Sequence, residues 1–178
     1  GEPAAAGGHL GRSVASADAA PDPPHEALPV AVTVRLQLAP VLALLGDERA
    51  AAAEVDTAIA ATRDTPTPVR AGVLTSAALI SALCRNVVAA GAHAAEALTL
   101  AGPIPAYFRY ASAVSSWVRA LEGDPTAADA LRQTVDDLQS RGARHLVAWA
   151  LGLLAEAEMV SGRADEAVRV LDEALELV

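Results

Sequence analysis

Lysine is absent from the chain, so the 13 basic side chains are all arginines, against 22 acidic ones. The formal net charge is therefore −9 at pH 7, and the pI is near 4.8. Binding to a nucleic-acid backbone depends on clustered basic side chains that displace counterions from the phosphates. The charge balance therefore argues against direct contact with nucleic acid.

Cysteine occurs once, as Cys84, which excludes a disulfide within the chain and favours a reducing compartment. We interpret Cys84 as a core residue, because it ends the apolar stretch 79–84 and no general base lies close to it in sequence. Long apolar runs are also lacking, since the longest uncharged run, 71–84, is too short to cross a bilayer. The chain does not open with the basic and then apolar segments of a signal peptide. We therefore expect a cytoplasmic protein without membrane contact.

Aromatic residues are scarce, at 3%, and runs of β-branched and aromatic residues bounded by turns are lacking. Hydrophobic residues make up 53% of the 178 residues, which is enough for one core without metal or disulfides. From Leu28 onward, apolar stretches of helical length alternate with short breaks rich in Gly, Pro and Asp. This pattern predicts an all-α domain over residues 27–178. Residues 1–26 contain Gly and Pro without a sustained period, and we predict a flexible leader or linker there.

The breaks divide the chain into eight predicted helices. They fall at Gly46-Asp47, 64–68, Gly91, 102–105, 123–125, Gly142 and Gly162. Mostly apolar residues then recur with the same helical spacing after three of the glycines, as Val55, Ile59 and Thr62, as Leu131, Val135 and Leu138, and as Leu171, Leu175 and Val178. The glycines at positions 46, 91, 123 and 162 recur at uneven intervals that fall within the range of helical repeats. These features predict a degenerate repeat of helix-turn-helix size.

The last repeat, from Leu151 to Leu175, resembles a tetratricopeptide repeat. Its small residues Ala155 and Ala167 occupy the family's close-approach positions, and Gly162 lies at the family's turn. Such irregular repeats resemble the C-terminal regions of large bacterial ATP-dependent transcriptional regulators of the LuxR/MalT-like kind, and of ATPase-cyclase signalling proteins. The resemblance implies a right-handed superhelix of about four repeats. It also implies a non-catalytic role in such a regulator, because neither a phosphate-binding Gly-rich loop nor a basic helix-turn-helix is present.

A superhelix of this kind presents the first helix of each repeat on its concave face. The resemblance implies that a protein or peptide, a neighbouring domain of the parent chain, or a small-molecule effector binds there. The implied inward-facing residues are Ser81, Arg85, Tyr110, Trp117, Trp149, Glu156 and Met159. For Trp117 and Trp149 the alternative is that they fill gaps between first helices. For Arg85 the alternatives are an exit to solvent or a structural ion pair.

Candidate catalytic residues do not form a complete set in the sequence. His93 and Glu96 share a helix face and could form half of a metal site, but no second pair completes it, and a solvated pair is the alternative. His145 could cap a helix as well as bind a ligand. We therefore predict no enzymatic activity, no metal and no cofactor. An alternative function is a structural oligomerisation arm, in which Leu171, Leu175 and Val178 on the last helix form a homodimer interface.

Overall fold

A computed structural model describes residues 3–18, 29–101, 105–141 and 144–177. These residues contain nine α-helices and no strand, so the prediction of an all-α fold is confirmed. The helices are α1 (Pro3–Asp18), α2 (Val30–Leu44), α3 (Glu48–Ala61), α4 (Thr67–Leu83), α5 (Val87–Ala101), α6 (Pro105–Leu121), α7 (Ala127–Ser140), α8 (Arg144–Val160) and α9 (Ala164–Leu175). Within the described part of the chain, none of them is long and apolar enough to span a membrane.

The chain divides into two compact units, Gly1–Tyr107 and Phe108–Val178, with the boundary inside α6. In the first unit, α2 packs against α1, α3 and α4, while α4 also packs against α3 and α5. In the second unit, α8 packs against both α7 and α9. Most consecutive helices therefore pack as neighbours, as expected for helices joined by short turns.

The first helix is not predicted by the sequence pattern. Residues 1–26 have the composition of a linker, but Pro3–Asp18 is helical and packs against α2. Val14 is buried, and Gly7 lies beside Val41 and Leu45 of the α2 segment. The segment is rich in Ala and Gly, whose small side chains produce little hydrophobic period, so the pattern is too weak to predict this helix. The eight predicted helices correspond to α2 to α9.

Four turns between paired helices share one geometry. One residue of each turn is left-handed, with φ of +83° at Gly46, +59° at Arg85, +90° at Gly123 and +78° at Gly162. The amide that follows each of them donates a 2.9 Å hydrogen bond to the carbonyl five residues earlier, which is the Schellman closure of a helix. These four positions are almost evenly spaced along the chain. The backbone is therefore more regular than the glycine spacing indicates.

The break predicted at Gly91 is wrong. Gly91 lies inside α5, and the turn comes earlier, at Arg85. There Asn86 caps α5, because its side-chain oxygen accepts a 3.1 Å hydrogen bond from the amide of Ala89. A left-handed residue other than glycine is uncommon, because this conformation costs about 1–2 kcal/mol. Glycine positions therefore do not indicate the turn at Arg85. The predicted break at Gly142, and residues 102–104 of another, lie outside the described residues.

Small buried residues recur at fixed distances from these turns. Seven residues before the turn residue lie Ala39, Ala78, Ser116 and Ala155, and five residues after it lie Ala51, Ala90, Ala128 and Ala167, all of them buried. In the first pair of helices, Ala39 and Ala51 belong to the same core cluster. Small side chains at these positions allow the two backbones of a pair to approach closely. The repeat is therefore defined by turn geometry and small residues together.

An Arg-to-acid ion pair joins the two helices of each of the first three pairs. Arg35 binds Glu54 and Arg70 binds Glu96, each with an N···O distance of 2.5 Å, and Arg109 binds Asp137. Ion pairs with this degree of exposure add little stability individually. They are informative about the repeat, because each one joins the first helix of a pair to the second helix of the same pair.

Two glycines on either side of the end of α8 should respond oppositely to the same substitution. Gly152 lies in the helix interior and Gly162 in the left-handed turn, and an added Cβ would meet no atom within 4 Å at either position. We expect Gly152→Ala to raise the free energy of unfolding by about 1 kcal/mol through helix propensity. We expect Gly162→Ala to lower it by about 1 kcal/mol through backbone strain. Urea titrations followed by circular dichroism test both, and equal signs would contradict the assigned turn.

Candidate functional site

A groove opens on the first helices of the unit Gly1–Tyr107. Its volume is about 340 Å³. The lining residues come from α2, α4 and the start of α6, and are Leu36, Pro68, Val69, Gly72, Val73, Ser76 and Tyr107. None of these described lining residues is charged, and the polar side chains among them are the hydroxyls of Ser76 and Tyr107. We call this cavity the α4 groove.

The aromatic ring of Tyr107 lies directly against the backbone of α4 at Gly72. A Cβ added at Gly72 would be 2.9 Å from the Cζ and the phenolic oxygen of Tyr107, which is closer than van der Waals contact permits. Gly72 is thus required for the ring to sit where it does. Sequence reasoning selects Tyr110 and misses Tyr107. A glycine in the interior of a 17-residue helix is the available signal, since it often marks a close approach.

Ser81 and Arg85 do not line the α4 groove. Ser81 is buried, and its hydroxyl lies 3.3 Å from Nδ1 of His93, which links α4 to α5. Arg85 is exposed in the turn that follows α4. Helix α4 ends at Leu83 and Arg85 lies in the left-handed turn after it, so Arg85 is not on a face of α4, and its exposure agrees with the alternative of an exit to solvent.

Ser81 belongs to a smaller cavity of about 170 Å³ between α3, α4 and α5. Glu48, Asp56, Cys84 and His93 also line it. Burial, with a contribution from Glu48, raises the pKa of the Cys84 thiol, which keeps the thiol protonated at pH 7. The carboxylate of Glu96 accepts hydrogen bonds from Arg70. Throughout the described part of the chain, no group of three or more His, Cys, Asp or Glu side chains has the geometry to hold a metal ion.

The position of His93 predicts a pH dependence of stability. Burial lowers the pKa of His93 below 6.5, against smaller opposing effects from Asp56, the Ala77 carbonyl and Glu96. Between the folded and the unfolded pKa, the unfolded chain binds more protons, so stability is full above about pH 6.5 and falls as the pH drops through the folded pKa. We expect a lower free energy of unfolding at about pH 5 than at pH 7, with a smaller decrease in His93→Gln. Urea titrations at both pH values test this, and equal decreases in the two proteins would contradict it.

In the unit Phe108–Val178, the predicted binding residues differ in exposure. Trp117 is fully buried, and its Nε1 donates a 2.9 Å hydrogen bond to Oε2 of Glu156, joining α6 to α8. Trp117 therefore has no exposed surface that a partner could contact. Its position agrees with the alternative, in which it fills a gap between first helices. Tyr110, Trp149 and Glu156 are half-buried, and Met159 is exposed. The side chain of His145 lies outside the described residues.

A polar cleft of about 740 Å³ lies between α7 and the turn that joins α8 to α9. Its arginines are paired with acids across these elements. Glu158 is almost completely buried and binds Arg163, which also contacts Asp129 at 3.3 Å. Arg132 binds Glu166 at 3.6 Å and Glu173 at 2.9 Å. Because acids pair with these arginines, the cleft is an ion-pair network that joins α7, α8 and α9.

The outer side of α9 is apolar and open. Val168, Leu171 and Leu175 are 57%, 47% and 74% exposed, respectively. Leu171 and Leu175 are two of the residues predicted as an oligomerisation face, and the third, Val178, lies outside the described residues. Exposed aliphatic residues on one helix face commonly mark an interaction surface.

Comparisons of the chain with protein-family models, with curated proteins and with solved structures find no match. The tetratricopeptide resemblance consequently rests on the turns, the small buried residues and the helix pairing of this chain.

Proposed function

We propose that this chain is a non-catalytic, tetratricopeptide-like repeat domain of a bacterial transcriptional regulator, and that it binds a peptide segment of a protein partner in the α4 groove. Four helix-turn-helix pairs, whose turns share one geometry and follow one another at nearly equal intervals, support the repeat assignment. The period is longer than that of the family's typical unit but is nearly constant along the chain. In such an array the pairs stack as a right-handed superhelix, and the first helices line its concave side.

The proposal depends on one observation, which is the contact between the ring of Tyr107 and the α4 backbone at Gly72. Both residues line the apolar α4 groove on the first helices, and the polar groups of this groove are the hydroxyls of Tyr107 and Ser76. Its volume of about 340 Å³ is within the range of ligand-binding cavities. An aromatic ring with a polar tip is typical of interface positions, because it offers apolar area at low entropic cost. The uncharged lining favours apolar side chains of an extended peptide.

A binding role also fits the state of the reactive side chains near this region. At pH 7 the Cys84 thiol is protonated and the lowered pKa of His93 favours a neutral imidazole. The protonated thiol is not an activated nucleophile, and the His93 imidazole is placed by its 3.3 Å contact with the Ser81 hydroxyl. In a full-length regulator, the peptide segment would come from a partner protein or from a neighbouring domain.

A random peptide library displayed on phage tests the proposal directly. We expect selection against the full chain to enrich peptides with adjacent apolar residues and micromolar affinity. Binding should weaken about tenfold or more in Val69→Asp, because a buried carboxylate in the groove is costly. The matched control is Val88→Asp on α5, where Val88 is already 84% exposed. No enrichment, or equal loss in both variants, would refute peptide binding in the groove.

A further inference from the structure

Helix α9 carries a second apolar face, separate from the α4 groove. Ala167 and Val170 are buried on one side of the helix, while Val168, Leu171 and Leu175 form an exposed stripe on the other. The spacing of three and then four residues places these three side chains on a single helix face. We call this stripe the α9 face.

The first repeat shows what covers the same positions elsewhere in the chain. Leu171 lies nine residues after the turn residue Gly162, and Val55 lies nine residues after Gly46. Yet Val55 is 2% exposed and Leu171 is 47% exposed. The difference arises because α4 packs on α3, where Val55 shares a core cluster with Ala77 and Ile80 of α4. The α9 face is therefore the equivalent of a surface that a helix covers in the first repeat.

Charge indicates which kind of helix fits. Asp165, Asp172 and Glu176 are exposed and lie along one edge of the α9 face, together with Arg169, which binds Glu166. Three acids against one arginine leave this edge with a net negative charge. Antiparallel pairing of two copies of α9 would bring these acidic rows together, and like charges in contact destabilise an interface. A helix with basic residues along its edge would instead meet opposite charge.

We infer that the α9 face docks a basic amphipathic helix of a partner protein, in the manner in which α4 docks on α3. The partner helix presents small and β-branched residues, like Ala77 and Ile80, to Leu171 and Leu175. Its arginine or lysine side chains lie along the acidic edge. This surface is distinct from the α4 groove, so either site can fail its test without affecting the other.

Two synthetic peptides serve as probes, each with capped ends and the 17-residue length of α4. Both carry the apolar stripe of α4, and they differ in having lysine or glutamate at the positions that flank it. Fluorescence anisotropy with the full chain at low ionic strength measures their affinities. We expect the lysine peptide to bind about tenfold more tightly than the glutamate peptide, with the advantage shrinking as salt screens the charges.

Variants of the chain separate the apolar contribution from the charged one. Leu171→Gln with Leu175→Gln should weaken binding of the lysine peptide about tenfold, because each leucine loses apolar contact area. Val88→Gln, which alters an exposed valine on α5, is the matched control and should leave the affinity unchanged. Asp172→Asn with Glu176→Gln should reduce the preference for the lysine peptide. Circular dichroism confirms that each variant is folded.

Equal affinity for the two peptides, or no binding of either, would overturn the proposal. A solution mass that doubles with concentration in the wild type, and does not do so in the double glutamine variant, would assign the α9 face to a second copy of this chain and also overturn it.

Discussion

Trp117→Ala is expected to lower the free energy of unfolding by about 4 kcal/mol. The indole is fully buried in the unit Phe108–Val178, so truncation leaves a large cavity that the surrounding helices fill only in part. The substitution also removes the Nε1 donor that binds the Glu156 carboxylate at 2.9 Å. Urea titrations followed by far-ultraviolet circular dichroism measure the loss without relying on tryptophan fluorescence.

Two further variants test whether the loss arises from the buried position of the Trp117 indole. Trp117→Phe keeps an aromatic ring without the donor, and we expect it to retain more of the stability than alanine does. Trp149→Ala removes a half-buried indole, so its cost should be clearly smaller. A loss below about 1 kcal/mol in Trp117→Ala would contradict the buried position and return Trp117 to the candidate binding residues.

The contrast between Gly46 and Arg85 shows how far the fold could be predicted from the sequence. Glycine at a left-handed position is a direct sequence signal, and it places the turns at Gly46, Gly123 and Gly162 correctly. Arg85 adopts the same conformation without that signal, so the predicted boundary of the second repeat is wrong. The helix α1 escapes prediction for a different reason, because alanine and glycine bury little surface and produce little periodicity.

The candidate site is less predictable, since it depends on contacts between helices. Composition shows that tryptophan is rare in this chain, but it does not show whether Trp117 faces a partner or the core. In the structure Trp117 is buried in the core. The α4 groove requires Tyr107 to lie against Gly72, and these two residues are far apart in the sequence. No local pattern connects such a pair. Leu171 and Leu175, in contrast, are identified from helical spacing alone, and the structure places them on an exposed face.

The Gly72 and Tyr107 pair gives a prediction in which the sign of one substitution depends on the other residue. Gly72→Ala alone should lower the free energy of unfolding by about 1–2 kcal/mol, because the new Cβ would lie 2.9 Å from the tyrosine ring and must displace it. In a Tyr107→Ala background the obstruction is gone, and the same change should raise stability by about 1 kcal/mol through helix propensity. The double-mutant cycle should therefore show a coupling energy of about 2 kcal/mol or more.

Peptide binding provides a second measurement on the same cycle. A displaced Tyr107 ring changes the wall of the α4 groove, so a peptide selected against the wild type should bind Gly72→Ala about tenfold more weakly. Gly152→Ala, the same substitution at an exposed position of α8, is the control and should leave binding unchanged. If the substitutions at Gly72 and Tyr107 are additive in both stability and binding, the ring does not rest on Gly72. The α4 groove would then lose the contact on which its proposed function depends.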